Sequence, residues 1–192
     1  MKFRVKAKLV DADGVRRTLT RLAHEIIERN RGLQNLALIG MQTRGVHIAD
    51  RLRKLIRDIE GGDVPMGVLD VTLYRDDFRL KFKRPQVQIT HIDFDVDEKN
   101  LILVDDVIYT GRTVRAALDA LMDLGRAARI QFVALVDRGH RELPIKPDFV
   151  GKNIPTSLGE EVRVRMAESD GEDAILLVER EDLAEEDQID DA

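Results

Sequence analysis

The chain predicts an α/β fold built on a doubly wound, mostly parallel sheet, and three observations predict it. Short, fully apolar runs recur (LALIG at 36–40, LILV at 101–104, FVALV at 132–136), of the kind that fills strands covered on both faces. Amphipathic stretches at helical spacing lie between them, so strand and helix alternate. The length of 192 residues, with 43% hydrophobic and 35% charged residues, suits one soluble domain around one core.

Each element follows from its own pattern. Phe3, Val5, Ala7 and Leu9 alternate with polar residues and predict a strand. A helix is expected from about Asp13, as its N-cap, to Asn30, with a stripe of Val15, Leu19, Leu22 and Ile26 and Gly32 as a stop signal. LALIG is a strand, and Thr43-Arg44-Gly45 leads into a helix over 46–59 that buries Ile48, Ala49, Leu52, Leu55, Ile56 and Ile59. GVLDVTLY at 67–74 is β-rich, and the charged segment 75–86 without clear period is a flexible loop or hairpin. LILV is a central strand, 112–124 a helix burying Val114, Ala117, Leu118 and Leu121, and FVALV the next strand. VRVRM and AILLV flank SDGED as a C-terminal hairpin around Gly171. There is no internal repeat.

Composition narrows the chemistry. The chain has no cysteine, which excludes disulfides, a thiolate nucleophile and cysteine-based zinc sites. No apolar run approaches the ~20 residues that span a bilayer, and the N-terminus alternates instead of offering a signal-peptide core, so the cytoplasm is the expected location. The net charge is −5, yet residues 181–192 hold seven acidic residues and no basic one, leaving +2 for residues 1–180. The expectation is one domain over 1–180 and a disordered acidic tail over 181–192. The four histidines (His24, His47, His91, His140) show no metal-ligand spacing, so no metal site made by protein alone is expected.

The chemistry concentrates in VDDVIYTGRT at 104–113. Ligands of open α/β sheets bind at the carboxyl ends of the strands. Small and hydroxylated residues at a helix start leave backbone N–H groups free to wrap a phosphate, aided by the helix dipole. Asp105 and Asp106, just before that anion site, suit vicinal hydroxyls or the waters of a Mg²⁺ ion. An aspartate pair at a strand end can also merely cap loop amides, but the apolar strand before it and TGRT plus a helix after it favour a ribose 5-phosphate pocket. The loop is neither a Walker loop nor a dinucleotide G-x-G-x-x-G.

LILVDDVIYTGRTVRAALDALMDLG resembles the phosphoribosyl-diphosphate (PRPP) motif of the type I phosphoribosyltransferases, in the form found in the PyrR family of pyrimidine-operon regulators with uracil phosphoribosyltransferase activity. The resemblance extends through RLAHEIIERNRG, TRGVHIADRL, DVTLYRDDF and LVDRGHRELPIKPDFVGKNIPTS. It implies the type I fold, with Thr110, Gly111, Arg112 and Thr113 on the 5-phosphate and Asp105 and Asp106 facing the ribose. It further implies Thr43, Arg44 and Gly45 as the diphosphate loop, where a non-proline cis peptide is common, with Arg44 stabilising the leaving group. Arg75 on a closing loop over 74–86, Tyr109 and Arg138 complete the substrate set. Mg²⁺ is expected to arrive with PRPP, uracil to attack the anomeric carbon, and UMP or UTP to act as product and effector. Gln42 stands where family members often carry a basic residue, and Tyr109 where purine enzymes of this fold often place an aspartate.

The first helix carries a second stripe, Arg17, Thr20, Arg21 and His24, opposite its buried one, with no carboxylate on that face until Glu28. Most such faces are simply solvated. In the resembled family this helix, with the segment holding Arg141, Lys146 and Lys152, binds a pyrimidine-operon mRNA stem-loop from a homodimer or higher homo-oligomer. With 4% aromatics, phosphate contact and hydrogen bonding are expected over base stacking. A purine or other phosphoribosyltransferase without an RNA role is the alternative.

Overall fold

A computed structural model describes residues 3–71 and 90–180. The elements in order are β1 (Phe3–Val10), α1 (Ala12–Asn30), β2 (Leu36–Met41), α2 (Arg44–Glu60), β3 (Met66–Leu69), β4 (Asn100–Ile108), α3 (Arg112–Leu124), β5 (Arg129–Asp137), β6 (Phe149–Asn153), β7 (Glu160–Arg165), α4 (Ala167–Asp170) and β8 (Ala174–Arg180). The expected closing loop over 74–86, Arg75 within it, and the acidic tail lie outside the described residues.

Five strands form one sheet in the order β3-β2-β4-β5-β6, every neighbour parallel. Their apolar runs read continuously because both faces are covered. Leu38, Ile102, Val104, Val133 and Leu135 pack with Val15, Leu22, Ile26 of α1 and Ile48, Leu52, Ile56 of α2. Ala37, Ile39, Leu101, Leu103 and Ala134 pack on the other side with Val114, Ala117 and Leu121 of α3. Each fully buried Leu or Ile contributes about 1.5–3 kcal/mol. From β2 the chain crosses to β3 on one side, and from β4 to β5 on the other, so the winding reverses between β2 and β4. That reversal opens a crevice at the carboxyl ends of two adjacent strands.

Two expectations are corrected, the C-terminal hairpin is borne out within a larger sheet, and one strand was not foreseen. The N-cap of α1 is Asp11, whose side chain accepts from Gly14 N at 2.8 Å, and Asp13 sits in the first turn instead. Ile59 is exposed, because it lies in the last turn of α2 beyond the residues that reach the sheet. The C-terminal hairpin is part of a separate three-stranded antiparallel sheet, β1-β8-β7, in which the first strand pairs with the last, Phe3 opposite Arg180. The edge strand β6, FVGKN, was missed by pattern alone, since only Phe149 and Gly151 are buried.

Candidate active site

Both chemistry-bearing loops open into the crevice between β2 and β4. After β2 the chain turns through a cis peptide at Gln42–Thr43, where the resemblance implied one, and enters α2 at Arg44. Gly45 allows this turn to lie against β4: a Cβ there would stand 2.4 Å from Val104 O and 3.2 Å from Asp105 Cα. The expected diphosphate loop therefore touches the strand that carries the carboxylates. Those carboxylates sit within β4, not on a turn after it, since pairing with β5 continues to Ile108. Val104 belongs to the α1/α2 core and Ile108 to the α3 core, so strict alternation breaks across Asp105-Asp106. Asp105 Oδ1 accepts from Asp106 N at 2.9 Å and Asp106 Oδ1 from Val107 N at 2.8 Å, which fixes both side chains locally.

Burial pushes the Asp106 carboxyl above its ordinary range, opposed by its bonds from the Val107 amide and from Asp105 and by the nearby charge of Arg44. The loop that follows adopts the shape an anion site needs. Gly111 caps α3 with φ 92°, a left-handed conformation that favours glycine, and no side chain caps the helix. Among the described residues the first-turn amides are thus left for an anion, apart from that of Arg112, which donates to Thr110 Oγ1 at 3.4 Å. A pocket of about 500 Å³ is lined by Asp105, Tyr109, residues 110–113, Arg138 and Glu142. The Arg138 guanidinium, nearly buried, lies 3.9 Å from the centroid of the Tyr109 ring and donates to Glu160 O at 2.7 Å. His140 meets the same ring edge-on and bonds to Thr156 O.

Sequence reasoning missed three carboxylates here. Glu142 lines this pocket and binds Arg112 Nε at 2.6 Å, while its own amide donates to Thr110 O. Asp137, last residue of β5, accepts from Arg141 at 2.6 Å. Asp170, on the one-turn α4 of the small sheet, receives two bonds from Arg44. The signal was present for Asp137 alone, at a strand end facing the crevice.

The basic stripe is placed as expected on the outer face of α1, next to β6, but its charge is partly compensated. Arg17 pairs with Asp13 and Arg21 with Glu25, so the expectation of a carboxylate-free face is corrected. Thr20 bonds back to Arg16 O, and His24, Lys146 and Lys152 are exposed. Arg21 also donates to Val150 O and Gly151 O of β6. Arg141 turns inward, donating to Ile145 O, Tyr109 O and Gly139 O besides Asp137.

A crevice at a sheet reversal, a glycine-capped phosphate loop and paired carboxylates beside a second loop define a type I phosphoribosyltransferase. The chain belongs to that family: the model of the phosphoribosyl transferase domain matches residues 7–169. Within it the chain groups with the bifunctional PyrR proteins. It is 60% identical over 176 residues to "Bifunctional protein PyrR" of Pelotomaculum thermopropionicum, covering 92% of this chain and 97% of that one. To the protein of the same name from Thermus thermophilus it is 58% identical over 179 residues, covering 93% and 99%. Among solved structures, a hypoxanthine-guanine phosphoribosyltransferase from Bacillus anthracis superposes with a TM-score of 0.69 at 20% identity, covering 92% of this chain and 99% of that one.

Proposed function

We propose that this chain transfers the phosphoribosyl group of PRPP to uracil, giving UMP and diphosphate, and that it binds pyrimidine-operon mRNA under nucleotide control. The observation that carries the enzymatic reading is the meeting of the two loops across β2 and β4, with Gly45 against Asp105. Residues 110–113 would hold the 5-phosphate, and Asp105 and Asp106 the ribose hydroxyls. Thr43, Arg44 and Gly45 would hold the diphosphate. The barrier falls because preformed donors meet charge as it develops on the leaving group. Arg44 would take up that charge, and no protein nucleophile is needed. Among the described residues no cluster of three or more acidic or histidine side chains is arranged to hold a metal. Mg²⁺ is read as part of the substrate, entering on PRPP and neutralising diphosphate charge. Tyr109, on the pocket wall against Arg138, stands where purine enzymes of this fold often place an aspartate, which favours a pyrimidine.

The RNA reading rests on the α1 stripe beside β6 together with Arg141, Lys146 and Lys152, on a homodimer or larger assembly. Arg21 and Arg141 have backbone acceptors to hold them, so the exposed Arg17 and Lys152 test the surface more cleanly. Initial rates with uracil should greatly exceed those with hypoxanthine, and the reverse order would favour the purine alternative. Filter binding of an operon stem-loop across salt concentrations should show the Arg17→Ala/Lys152→Ala variant losing about 0.7–0.9 of log–log slope per phosphate contact. An unchanged slope would remove the RNA surface from this face.

A further inference from the structure

The geometry points to Asp170 as a positioning residue for Arg44, by which the small antiparallel sheet sets the diphosphate loop. This rests on the reading of Arg44 as a diphosphate ligand. The Arg44 guanidinium is planar, with five donors in a fixed fork. Asp170 accepts two of them side by side, from Nε at 3.0 Å and Nη2 at 2.7 Å, which fixes the plane of the group. The pair is partly buried, where such a bond is screened less than at the surface. Asp170 is itself immobilised: Oδ2 also accepts from Met166 N at 2.9 Å and Ser169 Oγ at 2.9 Å. Arg44 holds the Asp170 carboxyl well below the usual carboxylate range, so the pair stays charged wherever the protein works. Arg44 also feels the charge of Asp106. The guanidinium is thus bonded to the small sheet and lies within electrostatic reach of Asp106 on β4.

A purely architectural role for Asp170 is separable, because other residues already dock its turn. Arg51, two turns further along α2, donates to Glu168 at 2.8 Å and to Asp173 at 2.6 and 2.8 Å, clamping α4 from both ends. The Asp170→Asn side chain keeps an oxygen for Met166 N, but its amide nitrogen cannot accept from a guanidinium. It removes the fork while sparing the cap.

The experiment compares PRPP with UMP, which shares the 5-phosphate and ribose but lacks diphosphate. Asp170→Asn should raise the KM for PRPP about tenfold, as expected for loss of a charge-assisted bond that orients a ligand. The Kd for UMP by calorimetry should stay near the parent value, and Asp170→Glu should restore part of the PRPP affinity. Asp173→Asn, which loosens the same turn without touching Arg44, should lower Tm and leave the PRPP-to-UMP ratio unchanged. Arg44→Ala is run in parallel. If it weakens PRPP while Asp170→Asn does not, the positioning role is overturned and the diphosphate reading of Arg44 stands. If Arg44→Ala leaves PRPP binding intact, the reading of Arg44 itself fails. Equal losses of PRPP and UMP with a large drop in Tm for Asp170→Asn would make Asp170 a structural cap and overturn the inference.

Discussion

Asp106 lies near the end of β4, where its carboxylate accepts from the Val107 amide and burial disfavours its charged form. A carboxyl raised in the folded state carries a sign opposite to the usual surface aspartate. The folded protein binds its proton more tightly than the unfolded chain does. Its contribution to stability is therefore greatest below the unfolded pKa of 3.8 and is lost as pH rises through the interval up to the raised folded value. Asp105→Asn/Asp106→Asn should cut uracil turnover at least tenfold, about 1.4 kcal/mol of barrier, without costing stability. Thermal melts at pH 4 and pH 7 check the second half: the Tm of the parent relative to the variant should be lower at pH 7 than at pH 4. A variant that melts well below the parent at pH 7 would show that these carboxylates hold the fold. This aspartate pair was legible in the sequence because it follows an apolar strand and precedes a glycine-hydroxyl turn. Its placement within the strand was not, because side-chain-to-amide bonds of the kind seen here leave no periodic trace.

The small sheet is stitched by charge at the scale of its strands. Lys6 of β1 binds Glu160 at the start of β7 at 2.6 Å, Arg4 binds Glu179, and Lys8 binds Glu172 at 3.1 Å. The bond from Lys6, with further bonds from Ser157, holds the Glu160 carboxyl down at about 2, below its ordinary 4.5. A depressed carboxylate stabilises the fold above its unfolded pKa and loses that effect as pH falls through the folded value. The exposed ends of these pairs make the contribution modest. As pH falls from 4.5 to about 2, protection relative to the intrinsic exchange rate should be lost in β1, β7 and β8 before it is in β4 and β5. Simultaneous loss of protection in both sheets would contradict this. The elements were read from period and breakers with most boundaries within a few residues. The failures have physical causes: β6 alternates weakly because Gly151 must fit against Leu135 O, where a Cβ would stand 2.3 Å away. The surplus charge on α1 was overstated because i,i+4 pairing brings Asp13 to Arg17 and Glu25 to Arg21 from outside the stripe.

Over the whole molecule, ligand binding and folding are one equilibrium. A nucleotide that binds only the folded chain raises stability by about 2.7 kcal/mol at a hundred times its Kd. UMP and PRPP should each raise Tm, and Gly111→Val should abolish both shifts. Valine at φ 92° is strained and would displace the loop that wraps the phosphate. The shift, not Tm itself, is the quantity to compare, since the variant starts lower. A full shift in Gly111→Val would remove the phosphate site from this loop. The fold class and both candidate loops could be read from the sequence, because a glycine-hydroxyl loop is contiguous and its strand is apolar. The carboxylates that orient the arginines could not, since Asp170 lies 126 residues from Arg44 and Glu142 lies 30 from Arg112. Such pairings exist only once the sheets have formed.

The pairing of the first strand with the last also orders events during synthesis. In the small sheet β8 is the middle strand, with β1 on one side and β7 on the other. A ribosome that has delivered every strand of the parallel sheet, through Asn153, has not yet released the strand that β1 needs. The nascent chain can close its crevice while β1 still waits unpaired, an open edge that neighbouring polysomal chains or a chaperone could occupy. Only when the final strand leaves the exit tunnel does β1 find its partner, and the turn bearing Asp170 then locks against Arg44. A messenger truncated shortly after the codon for Asn153 would therefore yield a product with an exposed first strand, a ready substrate for proteases.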